Sequence, residues 1–473
     1  MNSQTPARPA PRLAVWRDLL AGGRGPALAL VLLGCWVVAA DSLVTATIMP
    51  SVGADLDGYA WFGWAGSGFM TGLVVAGASA GWLAERIGLR AAMILSGITF
   101  ALGSVMSAAA PGIALFLAGR VVQGAAAGWI GGLIYVAMAL LFPGRHLPRV
   151  FALCTAVWGI ATLAGPLLGG VFADAGLWRG VFWLFAAQAL LFAAASWFLV
   201  PPPTDHRTDS RLPLSTMALV ALGIGAVATA GVTGGLLVPA VLLTGGVLLL
   251  AAAFAIDRTS DNALLPRRSN AFPLGVAYLT YFATTAAGTA FALYAPAMLQ
   301  ISAKLSALEA GYVVAIEALA WTVVSLSVSG ASARWQPRLI IFGTAAILAG
   351  NIGIPLLMER ESLFATGVFA AFLGGGFGMS YAFLGQQVIG SFDDASRTRG
   401  SAAIGTARNA GGAIGAAIAG VGANAAGFGE GLGSANLSAV AWGAIGIGIP
   451  FALAGLIGAI RLARPATPVP VPA

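Results

Sequence analysis

The sequence predicts an all-α polytopic membrane protein, on three observations. Of 473 residues, 59% are hydrophobic and 9% charged, with a mean hydropathy of +0.89. A water-soluble chain of this size could not hide so much apolar surface. The apolar residues come in long runs, and about 20 such residues of helix cross about 30 Å of hydrocarbon. The basic residues then fall in alternate loops, as lysine and arginine do when one side of a membrane retains them.

The first 26 residues are rich in proline and arginine (Arg8, Arg12, Arg17, Arg24) and read as a tail. The run that follows lacks a small-x-small cleavage site near its end, so it reads as a retained span rather than a signal peptide. Apolar runs lie near 27–50, 60–83, 90–110, 112–141, 148–173 and 178–199, giving an N-terminal six-helix bundle over 27–200. The segment 201–270 is a linker holding an apolar hairpin, 213–232 and 236–256. Six more runs, near 271–300, 308–331, 337–358, 361–390, 400–426 and 436–460, form a C-terminal six-helix bundle over 271–460, followed by a tail over 461–473. The expected total is fourteen transmembrane helices, or twelve without the hairpin.

Charge tests that count. With the N-terminus on the cytoplasmic side, only Arg179, Lys304 and Arg360 of the 24 basic residues fall in loops on the opposite side. Arg120 and Arg408 lie within runs, and the rest are cytoplasmic, as are both termini. Losing one span would invert every later loop and destroy the bias. The formal charge of +7 does not indicate nucleic acid, because no basic tract could track a phosphate backbone. Cys35 and Cys154 sit in apolar runs and read as small buried hydrophobes, so no disulfide framework and no metal site are expected. His146 and His206 read as solvated loop residues, and Trp61, Trp64, Trp178 and Trp335 as interfacial anchors.

The two halves echo each other. GWLAERIGLR (81–90) has a faint counterpart in GASARWQPRL (330–339), and GIATLAGPLLGG (159–170) in NAGGAIGAAIAG (409–420). Such echoes suit repeats related by an axis along the membrane normal.

Ionisable groups within a span cost roughly 2.5–3.5 kcal/mol each on insertion scales, so each needs a reason. Four qualify: Asp41, Arg120, Glu317 and Arg408. Asp41 precedes Pro50 by nine residues, about 13 Å of helix. The other three lie at similar depth, so two acids and two bases suit one central polar cavity. A carboxyl group there can change protonation, since desolvation and a nearby arginine act in opposite directions. Salt bridges that fix helix register are the competing explanation.

At these residues the chain resembles a known family. DSLVTATIMPSVGADL (41–56), GWLAERIGLR, GRVVQGAAAG (119–128), AGPLLGG (164–170) and WRGVFWLF (178–185) are similar, in order and in place, to motifs of the fourteen-span drug:proton antiporters (QacA/EmrB-like) of the major facilitator superfamily. The second half fits more loosely, through LQISAKLSALEAGYV (299–313) and RNAGGAIG (408–415). The resemblance implies proton coupling at Asp41, with Arg120, Gln123 and Gly124 assisting proton transfer or substrate release. It implies a cytoplasmic gate of Gly81, Glu85, Arg86, Gly88 and Arg90 clasping the two halves. It also implies bending and close packing at Gly165, Pro166, Gly169 and Gly170. Glu85 stands where the family usually has Asp, and Ala161 where a glycine is usual. With only Asp41 and Glu317 embedded, against two arginines, a dication preference is doubtful, and an amphipathic, zwitterionic or anionic substrate is open.

Glu317 joins Asp41 and Arg120 as a proton-coupling candidate. Trp36, Gln123, Trp129, Trp158, Tyr281, Trp321, Tyr381, Gln386, Arg408 and Asn409 are candidates for the substrate cavity, the aromatics because they can stack on a planar substrate. The function expected is a proton-coupled antiporter exporting small amphipathic drugs or metabolites by alternating access. The alternative is an importer or facilitator of the same fold. A membrane enzyme would need a reactive cluster, and a receptor would have no use for four buried charges. The expected partners are a small-molecule substrate, protons and lipid, with no nucleic acid. The expected energy source is the proton gradient rather than a cofactor, and the expected state is a monomer in a bacterial inner membrane.

Overall fold

The computed structural model describes residues 24–143, 146–202, 214–233, 237–259, 274–328, 331–358, 362–390, 394–430 and 436–463. Both tails, the connectors 203–213 and 260–273, and His206 and Arg360 lie outside the described residues. Among those described, all regular structure is helical, the form in which a chain in hydrocarbon satisfies its own backbone polar groups.

The helices are α1 (Gly25–Asp55), α2 (Phe62–Ile87), α3 (Leu89–Ala108), α4 (Ile113–Leu141), α5 (Leu147–Asp174) and α6 (Trp178–Leu199). Next come α7 (Leu214–Ala230) and α8 (Leu237–Thr259), then α9 (Leu274–Ser302), α10 (Ala307–Val328), α11 (Gln336–Met358), α12 (Leu363–Gly390) and α13 (Asp394–Ala425). The last expected run is split. α14 (Leu437–Ala444) and α15 (Ile449–Leu462) flank a 3₁₀ turn, Gly446–Gly448.

Helix starts follow local chemistry. Proline occupies the first turn of α1, α5 and α15, where its missing N–H is not needed. Gly88, at φ +83°, turns the chain from α2 into α3.

These helices occupy all fourteen expected places, but length and hydropathy support fewer crossings. Among the described residues eleven pass on their own, and a twelfth passes if Tyr59–Gly77 and Ser79–Ile87, bent by 50°, make one span. The described part of α7 has only 17 residues. α13 begins with Asp394 and is rich in glycine and alanine, so its apolar content is low.

Helices α1–α6 pack as one group and α9–α15 as another, with α7–α8 to one side. Glycine sets the closest approaches. A Cβ on Gly124 of α4 would lie 1.9 Å from the Phe69 carbonyl oxygen of α2, and one on Gly72 2.5 Å from that of Val121. In the second group a Cβ on Gly374 of α12 would lie 1.8 Å from the Glu317 carbonyl oxygen of α10. These helices touch backbone to backbone, which dispersion rewards where lipid gives no hydrophobic drive.

The two groups meet along two seams. α2 meets α13 from Gly63 against Gly420 to Met70 against Gly412, and α5 meets α10 from Gly170 against Leu308 to Pro166 against Gly311. The Asp174 carboxylate accepts a hydrogen bond from the Ala307 N–H at 2.9 Å. Tyr59, Phe62, Tyr294 and Phe428, drawn from both groups, stack at the same end. Arg179 joins that end's loops through Asp55 and the Ala110 carbonyl; we call it the Asp55 face. Towards the opposite face, marked by Arg90, a Cβ on Gly81 of α2 or Gly405 of α13 would meet open space. The groups are closed at the Asp55 face, while towards the Arg90 face these two glycines have no neighbour.

Placing Val at Gly124 should force α2 and α4 apart and lower the detergent-solubilised melting temperature or abolish monodisperse protein, since overpacking costs about 1–3 kcal/mol or more. Gly131→Ala, where a Cβ meets open space, should leave the melt unchanged.

Candidate functional site

Asp41 is fully buried on α1, and Arg120 on α4 is 3% exposed. The Arg120 Nη1 donates to both Asp41 carboxylate oxygens, at 2.9 and 3.0 Å, and to Gln123 Oε1 at 3.0 Å. Gln123 Nε2 donates to Ser104 Oγ at 2.9 Å and, at 3.4 Å, to Asp41 Oδ1. Ser107 Oγ donates to Gln123 Oε1 at 3.3 Å. The guanidinium carbon lies 4.4 Å from the Phe69 ring centre. Four helices of the first group, α1 to α4, therefore converge on one ion pair. Ser104 and Ser107 were not singled out from the sequence, although their spacing of three in the 90–110 run puts both on one helix face.

Asp41 is not among the residues lining the nearby cavity. A cavity of about 100 Å³ lies between the groups, lined by Ser42, Thr45, Phe69, Met70, Arg120 and Thr289 among others. Arg120 both lines this cavity and pairs with Asp41. The hydroxyl of Thr45 is buried without a hydrogen-bond partner among the described residues, as is Arg120 Nε.

Among the described residues, the four embedded charges do not join in one ion-paired cluster. Glu317 and Arg408 belong to the second group and, among the described residues, pair neither with the first two nor with each other. Arg408 on α13 lies 5.2 Å from the Tyr381 ring centre and 5.7 Å from that of Trp321. Trp321 stacks on Phe377 at 5.1 Å and meets Tyr381 edge-on at 5.4 Å. Tyr281 packs on Tyr381 at 4.8 Å and donates its hydroxyl to the Tyr381 carbonyl. The Tyr381 hydroxyl is 2.6 Å from Thr285 Oγ1 and 3.1 Å from Thr284 Oγ1. Three of the expected cavity aromatics are thus assembled with Arg408. Phe377, four residues before Tyr381 on α12, was missed.

The other candidates scatter. Trp129 donates its indole N–H to Ser79 Oγ at 2.8 Å, tying α4 to α2. Trp36 packs on the core, Trp158 is 44% exposed, Gln386 is exposed and Asn409 half-buried. Of the gate residues, Glu85 and Arg86 are exposed, while Arg90 donates to the Val200 carbonyl at 2.5 Å and lies over Trp197. In this state Arg90 fastens α3 to α6 within one group rather than clasping two. Pro166 and Gly170 line the α5–α10 seam, while Gly165 and Gly169 press on Leu43, Val44 and Thr47 of α1. Cys35 and Cys154 are both buried as free thiols. Two outer residues are corrected. Trp178 is no interfacial anchor but is buried, donating to Asp55 at 3.3 Å, and His146 is buried rather than solvated.

The sequence pattern of the Major Facilitator Superfamily matches residues 31–416. The chain belongs to that superfamily. It is a multi-pass membrane transporter. A probable multidrug-efflux transporter of Mycobacterium tuberculosis is 29% identical over 420 residues, covering 85% of this chain and 88% of that one. An aspyridones efflux protein of Neocamarosporium betae is 28% identical over 390 residues, covering 76% and 67%. Among solved structures, a D-xylose–proton symporter superposes with a TM-score of 0.64 at 16% identity, covering 92% of this chain and 96% of that one. A bacterial homologue of the lysosomal transporter Spinster gives 0.65 at 16% identity, covering 93% and 96%. These structural likenesses establish the fold.

Removing one member of a buried ion pair strands the other, at about 3–5 kcal/mol. In a double-mutant cycle followed by thermal melting, Arg120→Gln should therefore cost more stability than Asp41→Asn/Arg120→Gln together. Additive losses would mean that the two side chains are not coupled.

Proposed function

We propose that the chain is a proton-coupled antiporter that exports small amphipathic molecules by alternating access. The observation that carries this reading is the buried Asp41–Arg120 pair, held between a closed helix bundle and the inter-bundle cavity. An exchangeable proton needs a carboxyl group whose charge is held by one removable interaction, and substrate reaching the cavity can perturb Arg120 without touching Asp41. Inward movement of one proton gains about 2.3 kcal/mol per 100 mV of membrane potential, enough to support a useful gradient. The efflux names borne by two relatives favour export over import.

In this reading the bundles are 27–200 and 271–460, joined by an inserted hairpin, and the chain crosses the membrane fourteen times. Both termini lie in the cytoplasm of a bacterium, and the Asp55 face is outside. The Arg90 face then opens inward. Glu85, Arg86 and Arg90, with Gly81 and Gly88 at the turn, form the gate that meets the other bundle when that face closes. Gly165, Pro166, Gly169 and Gly170 let α5 slide and bend against α1 and α10. The protein works as a monomer with no cofactor, driven by the proton gradient.

Everted membrane vesicles with an acid lumen provide the test. A panel of dyes and metabolites should reveal substrates that accumulate in the lumen, and a protonophore should collapse that accumulation. Asp41→Asn should lower gradient-driven uptake at least tenfold while substrate exchange without a gradient persists. Undiminished proton-driven flux in Asp41→Asn would end the coupling assignment, and uptake driven by the opposite gradient would make the chain an importer.

A further inference from the structure

Arg408 differs from the other well-placed arginines. Arg120 and Arg179 each meet a carboxylate, and Arg90 meets a carbonyl. Arg408 meets two aromatic rings instead, its Nε is buried without a hydrogen-bond partner, and no carboxylate pairs with it among the described residues. Tyr135 of α4, 61% exposed, lies within electrostatic reach of it, and neither Gly131 nor Gly405 has a neighbour where a Cβ would point.

Glu317 sits one turn before Trp321 on α10, half-buried, and likewise has no ion-pair partner among the described residues. Tyr381, locked by Tyr281, Thr284 and Thr285, has the Arg408 guanidinium carbon 5.2 Å from its ring centre and meets Trp321 edge-on. An unpaired guanidinium and an unpaired carboxyl thus flank one rigid aromatic wall of Trp321, Phe377 and Tyr381.

We propose that this wall is the substrate-selecting subsite and that it takes amphoteric aromatic molecules. The substrate carboxylate meets Arg408, its ring stacks on the wall, and its amine lies towards Glu317. A planar guanidinium matches a carboxylate in two parallel hydrogen bonds, and a ring on Trp321 adds stacking contact. A cationic ligand without a carboxylate would face Arg408 at close range with no compensation. This inference rests on the export reading only in calling the ligand a substrate.

The test is equilibrium binding to the purified protein, followed by ligand-observed NMR titration, so no gradient is involved. The probes are 4-(aminomethyl)benzoate, 4-methylbenzoate and 4-methylbenzylamine, which share one ring and differ in charge. The zwitterion should bind at least about tenfold more tightly than either single-charge analogue. Arg408→Gln should weaken the two carboxylates about tenfold and leave the amine unchanged or tighter, and Glu317→Gln should weaken only the two amines. Arg408→Lys keeps the charge and should fall between. Preferential binding of the amine by the unmodified protein, or an unchanged ranking in Arg408→Gln, overturns the proposal. Because the wild-type ranking decides by itself, a poorly folding variant does not rescue it. Failure of proton coupling in vesicles with this ranking intact would sink the antiport reading alone.

A separate observation concerns the hairpin, whose first helix lies across the seam between α2 and α13. Trp64 of α2 donates to Thr229 Oγ1 at 3.2 Å, and Val227 and Ala228 pack on Ala417 of α13. Asn424 of α13 donates both to the Gly231 carbonyl, at 3.0 Å, and to the Ala60 carbonyl before α2. A Cβ on Gly231 would lie 2.9 Å from the Val421 nitrogen. One hydrogen-bonded knot therefore joins both bundles and the hairpin at the Asp55 face. We infer that the hairpin is a staple that favours the state closed at that face.

Spin labels on α2 and α13 near the Asp55 face would read the seam by pulsed distance measurement. Thr229→Val and Gly231→Val should raise the fraction of separated pairs about threefold to tenfold, and Gly245→Ala, which points into open space, should not. An unchanged distance distribution in both hairpin variants would leave the hairpin without this role.

Discussion

The arrangement of the first bundle depends on one ion pair. An arginine in hydrocarbon is tolerated only if its charge is answered nearby, and Arg120 is answered by Asp41 on a helix distant in sequence. Meeting that demand requires α1 and α4 to sit side by side at fixed depth. It also requires α3 to supply Ser104 and Ser107 as partners for Gln123, which shares the carboxylate. The glycines of α4 bring the flanking helices close, with Gly124 and Gly128 against the α2 backbone and Gly119 against Gly103 of α3.

The second bundle solves the same packing problem with Glu317 and Arg408 unpaired among the described residues. Gly374 and Gly378 bring α12 onto α10, and this closeness assembles Trp321, Phe377 and Tyr381 into a wall rather than burying an ion pair. Arg408 is held by ring faces, an interaction worth about 2 kcal/mol or more when desolvated. That is weaker compensation than a carboxylate gives, so the guanidinium keeps hydrogen-bonding capacity in reserve. The halves share an architecture but not an electrostatic state.

Much of this was legible in the sequence. Long apolar runs and alternating basic loops gave the helix places, because both follow from bilayer thickness and charge retention rather than from tertiary detail. The rarity of charge in the spans pointed to Asp41, Arg120, Glu317 and Arg408. Their pairing was not legible, since depth along a helix is a matter of counting but facing depends on packing. Arg120 pointed to Asp41, and Arg408 to Trp321, for reasons that reside in α3 and α12. Trp129 illustrates the same limit, for its indole serves Ser79 and not a cavity. The break at Gly446–Gly448 was hidden because the run around it is uniformly apolar, and hydropathy does not report backbone approach to Ala287 and Asn351.

The difference between the halves bears on how two ligands could be coupled at all. Coupling needs a site whose free energy each ligand changes in the other's presence, and reciprocity requires that the influence run both ways. Arg120 lines the cavity and Asp41 does not, so a substrate there can act on the carboxylate by drawing on the guanidinium. Arg120 has the means to respond, because its Nη1 serves Asp41 and Gln123 together while its Nε is unsatisfied. An anionic group in the cavity would compete with the carboxylate for that guanidinium, and a protonated Asp41 would release it. The ion pair that fixes the fold of the first bundle is therefore also the part of it on which a proton and a ligand in the cavity would both act.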